Sequence, residues 1–222
     1  MSIRLNVDFL KGRLPENIKI VAVSKFHSAD RITEAYQAGL RIFGENRAQE
    51  LIAKQKILPD DIEWHFIGPL QTNKVKYIAP FVHTIQSVDS LKLLREIDKQ
   101  AAKQSRIIQI LLEIRIAQEE GKHGFIPKEC KMMLTNENMI DNYPNVHISG
   151  LMGIATFTED NEQIRKEFRT LHAFFKDLKS SYFENCNYFT ELSMGMTDDY
   201  EIAINEGSSM VRIGSFIFGD RI

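Results

Sequence analysis

The stretch IKIVAVSK, residues 18–25, decides the fold that the sequence predicts. Apolar side chains dominate its first seven positions, and the run ends on Lys25. A run without strict alternation is typical of a strand in a parallel sheet that is covered on both faces. Similar short runs follow along the chain, separated by stretches with the helical spacing of apolar residues. The sequence therefore predicts a parallel α/β fold.

Eight strands and seven intervening helices are predicted. The strands lie at 18–24, 41–44, 62–67, 84–87, 107–116, 147–154, 188–193 and 210–216. The helices lie at 29–38, 47–56, 73–79, 91–103, 128–136, 161–179 and 198–205. Side chains that accept hydrogen bonds from unpaired helix N–H groups precede several of them, for example Ser28, Ser90 and Thr197.

Parallel strands with right-handed crossovers either close into a barrel or form an open, doubly wound sheet. No GxGxxG motif follows the first strand, although a dinucleotide-binding sheet would require one. Residues whose side chains can react or bind a ligand lie at the carboxyl ends of many predicted strands. Only a barrel brings all of those ends to one mouth. No Pro-, Gly- or Ser-rich linker divides the chain. We therefore predict one (β/α)8 TIM-type barrel domain over residues 1–222.

Composition excludes several functional classes. The length of 222 residues suits a barrel, and the net charge of −2 is spread along the chain, so neither nucleic acid nor an anionic membrane is an expected partner. Cys130 and Cys186 have neither CxxC nor metal-binding spacing and are expected to be reduced. Charges interrupt residues 1–14, which excludes a signal peptide and predicts a cytoplasmic location. Because the sequence shows no obvious apolar stripe beyond those that the predicted fold would bury, a monomer is expected.

Lys25 has two interpretations. A lysine that ends a buried strand often only extends its ammonium group into solvent. In an apolar barrel mouth, however, the ammonium form is destabilised, and the free amine can attack an aldehyde to form an imine. Residues near the other end of the chain favour the second interpretation.

Two glycine-containing turns follow the last two predicted strands: SMGMT at 193–197 and RIGS at 212–215. In many barrels the loops after strands seven and eight bind phosphate, although each glycine alone is also consistent with an ordinary turn. Asp198 and Asp199 would repel a phosphate and are expected to point outward. A lysine after the first strand together with these turns is the layout of a pyridoxal phosphate site. Its candidate residues in the turns are Ser193, Met194, Gly195, Arg212, Gly214 and Ser215.

Other strand ends carry further candidates. Asn46 could donate to a cofactor oxygen or cap the following helix, and His65 could be a general base or a hydrogen-bonded core residue. Glu45 is the main carboxylate at a strand end, as a barrel that binds a phosphorylated metabolite without a covalent bond would need. The scattered histidines contain no i, i+4 pair, which argues against a metal site.

The motifs together resemble the YggS/PROSC family of pyridoxal phosphate homeostasis proteins. The resemblance runs in order over residues 20–219, almost the whole chain. The motifs that carry it are VAVSK at 21–25, FGEN at 43–46, WHFIG at 64–68, LQ at 70–71, NK at 73–74, GLM at 150–152, LSMGM at 192–196, Asp199 and VRIG at 211–214.

The resemblance implies a barrel like the N-terminal domain of alanine racemase, the fold type III of pyridoxal phosphate proteins. It also implies pyridoxal 5'-phosphate held as a Schiff base on the lysine matched by Lys25, with its phosphate at the turns matched by 193–195 and 212–215. We add Asn46 and His65 as candidate cofactor contacts. The family buffers or delivers the cofactor, so enzymes that lack their pyridoxal phosphate are the expected recipients.

Three departures from the family pattern stand out. Thr197 replaces a serine and keeps the hydroxyl. Arg115 follows Ile114 where relatives have Val-Asn, which places a charge near the mouth. The segment before Ile18 is short, so an abbreviated N-terminal helix is expected. Lys122 is a candidate for a second cofactor-binding lysine.

The resemblance leaves open whether the protein is a carrier or an enzyme. A racemase on this barrel needs a second acid/base group, which a separate domain supplies in alanine racemase. The chain ends at Ile222, directly after the eighth predicted strand, so we expect a carrier without enzymatic activity. The alternative is a weak pyridoxal phosphate-dependent racemase or a related amino-acid enzyme.

Overall fold

Eight parallel strands form a closed barrel in sequence order, and the last strand pairs with the first. This computed structural model describes residues 2–118, 123–137 and 142–219. The closed barrel confirms the predicted (β/α)8 fold. The strands are β1 (Lys19–Val23), β2 (Ile42–Glu45), β3 (Glu63–Phe66), β4 (Thr84–Val88), β5 (Ile108–Glu113), β6 (Val146–Met152), β7 (Glu191–Ser193) and β8 (Met210–Ile213).

The helices surround the barrel. They are α1 (Ile3–Arg13), α2 (Ala29–Gln37), α3 (Ala48–Gln55), α4 (Thr72–Ile78), α5 (Leu91–Lys103), α6 (Pro127–Glu137), α7 (Asn161–Ser181), α8 (Tyr200–Asn205) and α9 (Ser215–Phe218). All seven predicted helices are confirmed with bounds within two residues of those predicted. No helix among the described residues is both long and apolar enough to cross a bilayer.

The N-terminal segment, for which an abbreviated helix is expected, forms the 11-residue helix α1. Its Val7 and Leu10 are fully buried, and the helix contacts both α2 and α9. Asn6 donates from Nδ2 to the carbonyl oxygen of Ile217 in α9 at 3.2 Å. Helix α1 therefore fills the position of an eighth outer helix, next to the four-residue α9.

The eighth strand also differs from its prediction. It ends at Ile213 rather than at residue 216, and Ser215 begins α9. The fifth strand likewise ends at Glu113, because Ile114 makes only an isolated bridge to Phe125. Apolar residues continue past both strand ends, and after β8 they belong to α9 rather than to the sheet.

Apolar side chains fill the layer between strands and helices, whereas polar side chains meet inside the barrel. Ser193 in β7 donates from Oγ to Gln86 Oε1 in β4 at 2.7 Å, although these strands are not neighbours. The two side chains therefore reach each other across the barrel interior. Outside it, Cys130 and Cys186 are buried without a disulfide bond, and burial raises the pKa of the Cys130 thiol to about 12.

Candidate cofactor site

Lys25 lies just after β1, at the carboxyl-terminal mouth of the barrel. It lines a cavity of about 460 Å³. The strand order explains the arrangement, because β1 pairs with β8, which in turn pairs with β7. Of the predicted site residues, Lys25, Arg212, Gly214 and Ser215 share this cavity. Its other lining residues are Val23, His27, Met196, Thr197, Asp198 and Gly219.

The turns after β7 and β8 present backbone donors to the cavity. No described residue accepts a hydrogen bond from the backbone N–H of Thr197, Gly214 or Ser215. Gly195 gives the first turn its shape, since its φ is +93° and an added Cβ would lie 2.5 Å from the Cβ of Ala203. Unpaired N–H groups in a glycine-containing turn are the usual means of holding a phosphate.

Arg212 forms the floor of the cavity. Only 4% of the residue is exposed, and Nη1 donates to the carbonyl oxygen and the Oγ of Ser193 at 2.9 and 2.7 Å. Nη2 donates to the carbonyl oxygen of Gly153 at 3.0 Å. Burial lowers the pKa of Arg212 to about 10, against the opposing effect of Asp199 and Glu113, so it stays cationic at neutral pH. The structure thus provides a fixed positive charge beneath the mouth.

Ser193 and Met194 lie below the cavity rather than in its lining. Both are completely buried, and the Ser193 hydroxyl is engaged by Gln86 and Arg212. Ser193 still belongs to β7 and points into the barrel, so the residues that follow it reach the mouth instead. Ser193 therefore positions Arg212 in this structure.

The expectation that both aspartates after β7 point outward is only half right. Asp198 is exposed at the cavity rim, but Asp199 is half-buried and accepts a hydrogen bond from the Met196 N–H at 2.5 Å. Burial raises the pKa of Asp199, and this hydrogen bond and Arg212 oppose the rise. Asp199 therefore fixes the turn from inside.

Asn46 lies in a second cavity at the same mouth, of about 290 Å³, which it shares with Glu113, Arg115 and His123. Its Oδ1 is buried without a hydrogen-bond partner among the described residues. Arg115, the departure in the fifth strand, is exposed at this cavity. The pKa of Glu113 is raised to about 6, mainly by burial and also by the negative charge of Asp89. The positive charges of His123 and Arg212 oppose this rise. The second cavity thus combines an unsatisfied amide oxygen with a carboxyl group that titrates near neutrality.

His65 lies in neither mouth cavity. It is 2% exposed inside the barrel, and its Nδ1 is 2.8 Å from Gln86 Nε2. Burial, with smaller contributions from His83 and Lys19, lowers its pKa to about 3, so the ring is neutral. The structure brings His65 to the cofactor region only indirectly, through Gln86, Ser193 and Arg212.

Comparison with known proteins identifies the family. The family model described as "Alanine racemase, N-terminal domain" matches residues 1–222. A pyridoxal phosphate homeostasis protein of Aquifex aeolicus is 41% identical over 211 residues, covering 95% of this chain and 90% of the relative. A protein of the same name from Pasteurella multocida is 39% identical over 217 residues, with the same coverage. The chain belongs to the pyridoxal phosphate homeostasis protein family.

Solved structures agree with this family assignment. PipY of Synechococcus elongatus, solved with PLP bound, is 34% identical with a TM-score of 0.87, covering 98% of this chain and 100% of PipY. Without PLP, PipY has a TM-score of 0.91 at 35% identity, with the same coverage. An alanine racemase of Clostridium difficile shares the fold, with a TM-score of 0.77 at 17% identity over 99% of this chain and 56% of the racemase.

In this member of the pyridoxal phosphate homeostasis protein family, a buried ion pair supports the segment that contains Lys25, residues 24–26, called here the lysine segment. The sequence did not predict this ion pair. Glu45 is completely buried, and its Oε1 accepts hydrogen bonds from Ser24 Oγ at 2.6 Å and Lys54 Nζ at 2.7 Å. Lys54 also donates to the carbonyl oxygen of Ser24 at 2.8 Å. Burial raises the pKa of Glu45, and Lys54 and Ser24 oppose that rise. The residue before Lys25 is therefore held by both its backbone and its side chain.

The residue after Lys25 is held from the same helix. Glu50 in α3 accepts a hydrogen bond from the Phe26 N–H at 3.0 Å, and Phe26 has a φ of +68°. A non-glycine residue adopts this left-handed conformation only when its surroundings enforce it. The i, i+4 spacing of Glu50 and Lys54 was the available sequence signal, because it places both on one helix face.

The predicted second cofactor-binding lysine, Lys122, lies outside the described residues.

Proposed function

We propose that this chain binds pyridoxal 5'-phosphate as a Schiff base on Lys25 and serves in pyridoxal phosphate homeostasis, buffering the cofactor or delivering it. The observation that carries the proposal is the cavity that Lys25 shares with the turns after β7 and β8. Its volume of about 460 Å³ lies in the range of roughly 300–1,000 Å³ typical of small-ligand sites. The names of the relatives and the PLP-bound PipY structure support the proposal.

The residues present fit this cofactor. The unpaired N–H groups of Thr197, Gly214 and Ser215 suit phosphate oxygens, and the buried cation of Arg212 suits a dianionic ligand. Asp198 at the rim opposes an anion, so the backbone donors and Arg212 must outweigh it. When bound, the cofactor supplies an aldehyde carbon that condenses with the Lys25 amine with loss of water.

A carrier fits the cavity better than an enzyme does. Racemisation needs an acid/base group on each face of the substrate. Among the described lining residues, the titratable side chains besides Lys25 are His27, Asp198 and Arg212. Arg212 is fixed by three hydrogen bonds and stays protonated, Asp198 is exposed, and His27 stacks on Phe218 at 4.6 Å between ring centroids. These contacts and this exposure do not match the second acid/base group that a racemase needs.

The direct test is an absorbance spectrum followed by borohydride reduction and intact-mass measurement. The wild-type protein should be yellow and gain one reduced pyridoxyl phosphate adduct. Lys25→Ala should lose both properties, whereas Lys99→Ala, which changes an exposed lysine on α5, should keep both. A colourless wild-type protein that stays unmodified with added cofactor would refute the proposal.

A second test separates carrier from enzyme. The loaded protein should restore activity to an added enzyme that lacks its pyridoxal phosphate, and should racemise alanine no faster than the free cofactor does. Steady racemisation far above that rate, abolished in Lys25→Ala, would instead establish the racemase alternative.

A further inference from the structure

Three side chains that can bind metals meet at the amino-terminal end of the barrel, opposite the mouth. Glu63 begins β3, His65 is the third residue of that strand, and His83 directly precedes β4. One ligand atom from each lies within 4.8 Å of the others. None of the three lines the cavity that contains Lys25. The group is therefore separate from the proposed cofactor site.

His65 has a ring nitrogen that the described part of the chain leaves unsatisfied. Its Nδ1 is engaged by Gln86, but its Nε2 is buried without any hydrogen-bond partner. A buried polar atom without a partner is costly and calls for an explanation. Coordination of an ion would satisfy this nitrogen.

His83 has the same division of roles between its two ring nitrogens. Its Nδ1 is 2.9 Å from Thr84 Oγ1, and its Nε2 is 3.8 Å from Glu63 Oε2. The rings of His65 and His83 are parallel to within 2°, with centroids 5.7 Å apart. In each ring a neighbouring side chain contacts Nδ1, and in metal sites the second ring nitrogen of a ligating histidine is likewise hydrogen-bonded.

The charge of Lys19 acts on both rings and would repel a cation. It is balanced by the 2.5 Å ion pair of Lys19 with Glu191.

We propose that Glu63, His65 and His83 form a binding site for a divalent transition-metal ion, with zinc as the best match. The ligands are Nε2 of both histidines and a carboxylate oxygen of Glu63, with a fourth position for water. Two histidines and one carboxylate are an established zinc ligand set. Coordination through Nε2 requires the proton of His65 on Nδ1, whereas in this structure Gln86 Nε2 faces Nδ1 and Gln86 Oε1 accepts from Ser193 Oγ. Metal binding would therefore exchange the two ends of the Gln86 amide, so that Oε1 accepts from His65 Nδ1 and Nε2 donates to Ser193 Oγ.

Binding requires only a small contraction of the group. Zinc bonds of about 2.0–2.2 Å bring tetrahedral ligands to about 3.3 Å from one another. The side chains of Glu63 and His83 are 47% and 38% exposed, so both can move toward the fixed His65. Because the site lies at the end of the barrel associated with stability rather than catalysis, the ion joins β3 to the start of β4.

The test uses the full chain without an affinity tag, freed of cofactor and dialysed against a chelator. Zinc titration in competition with a chromophoric chelator should show one bound equivalent and an increase in the unfolding temperature. Cobalt should give the intense visible bands of a four-coordinate ion. Because the protein carries no cofactor, the outcome does not depend on the function of Lys25.

Variants locate the ion. His83→Gln and Glu63→Gln, both at partly exposed positions, should abolish the stoichiometric binding, and Thr84→Val should weaken it by about 10–100-fold. His172→Gln, on α7, is the matched control and should bind like wild type. The proposal is wrong if the wild type binds no equivalent of zinc, or if His83→Gln and Glu63→Gln, folded by circular dichroism, keep it.

Discussion

At the scale of single residues, Lys54 links the lysine segment to the barrel. Lys54→Met removes a buried cation from a completely buried carboxylate, Glu45. Loss of one partner of such a pair costs about 3–5 kcal/mol of unfolding free energy. Urea unfolding should show this loss, together with weaker cofactor binding because Ser24 is released. Lys56→Met, at an exposed position on the same helix end, should change stability by no more than about 0.5 kcal/mol. Equal effects of the two substitutions would contradict the assigned role of Lys54.

Glu113 makes stability depend on pH. Burial raises its pKa from the ordinary 4.5 of a glutamate to about 6 in the folded protein, so the folded state binds the proton more tightly than the unfolded state. Burial of the charged form therefore destabilises the fold increasingly as the pH rises through this interval, to at most about 2 kcal/mol. Glu113→Gln should be more stable than wild type at pH 7.5 and equally stable at pH 4. Unfolding free energies at the two pH values test this, and a difference of the same size at both would contradict it.

At the scale of elements, the turn between β7 and α8 depends on the backbone of Gly195. Gly195→Ala combines a φ of +93° with a Cβ 2.5 Å from Ala203 Cβ, so it should cost about 1–3 kcal/mol and weaken cofactor binding. Gly12→Ala in α1 is the opposite case, because nothing lies within 4 Å of the added atom. It should stabilise by about 0.5–1 kcal/mol and leave binding unchanged. Thermal unfolding and cofactor titration of both variants measure the contrast, and destabilisation by Gly12→Ala would contradict it.

The elements also show what the sequence could predict. Strands such as 18–24 were recognisable because burial on both faces requires a continuous apolar run. For the N-terminal segment, only an abbreviated helix was expected from the resemblance, although Ile3, Val7 and Leu10 have the helical spacing that gives the bounds of α1. The lysine and the phosphate turns could be proposed from their places after strands. The contacts of Lys54 with Glu45 and Ser24 could not, since they depend on how α3 packs against the barrel.

At the scale of the whole molecule, the proposed site is shared between the first and the last strand of the barrel. Lys25 follows β1 and Ser215 follows β8, and these strands pair, with Ala22 opposite Ile213. Cofactor at 100 times its dissociation constant should stabilise the fold by about 2.7 kcal/mol. Hydrogen exchange with and without cofactor should show added protection in both β1 and β8. Protection confined to one of these strands would contradict a site shared between them.

The pairing of β1 with β8 also has a consequence for biosynthesis. During translation Lys25 emerges from the ribosome early. The turn at 212–215 emerges only when translation of the barrel is nearly complete. Until the last strand inserts beside the first, the nascent chain has the proposed cofactor lysine without the backbone proposed to hold the phosphate. If the proposed site is correct, only a chain whose barrel has closed can retain the cofactor, so retention of the cofactor would report completed folding.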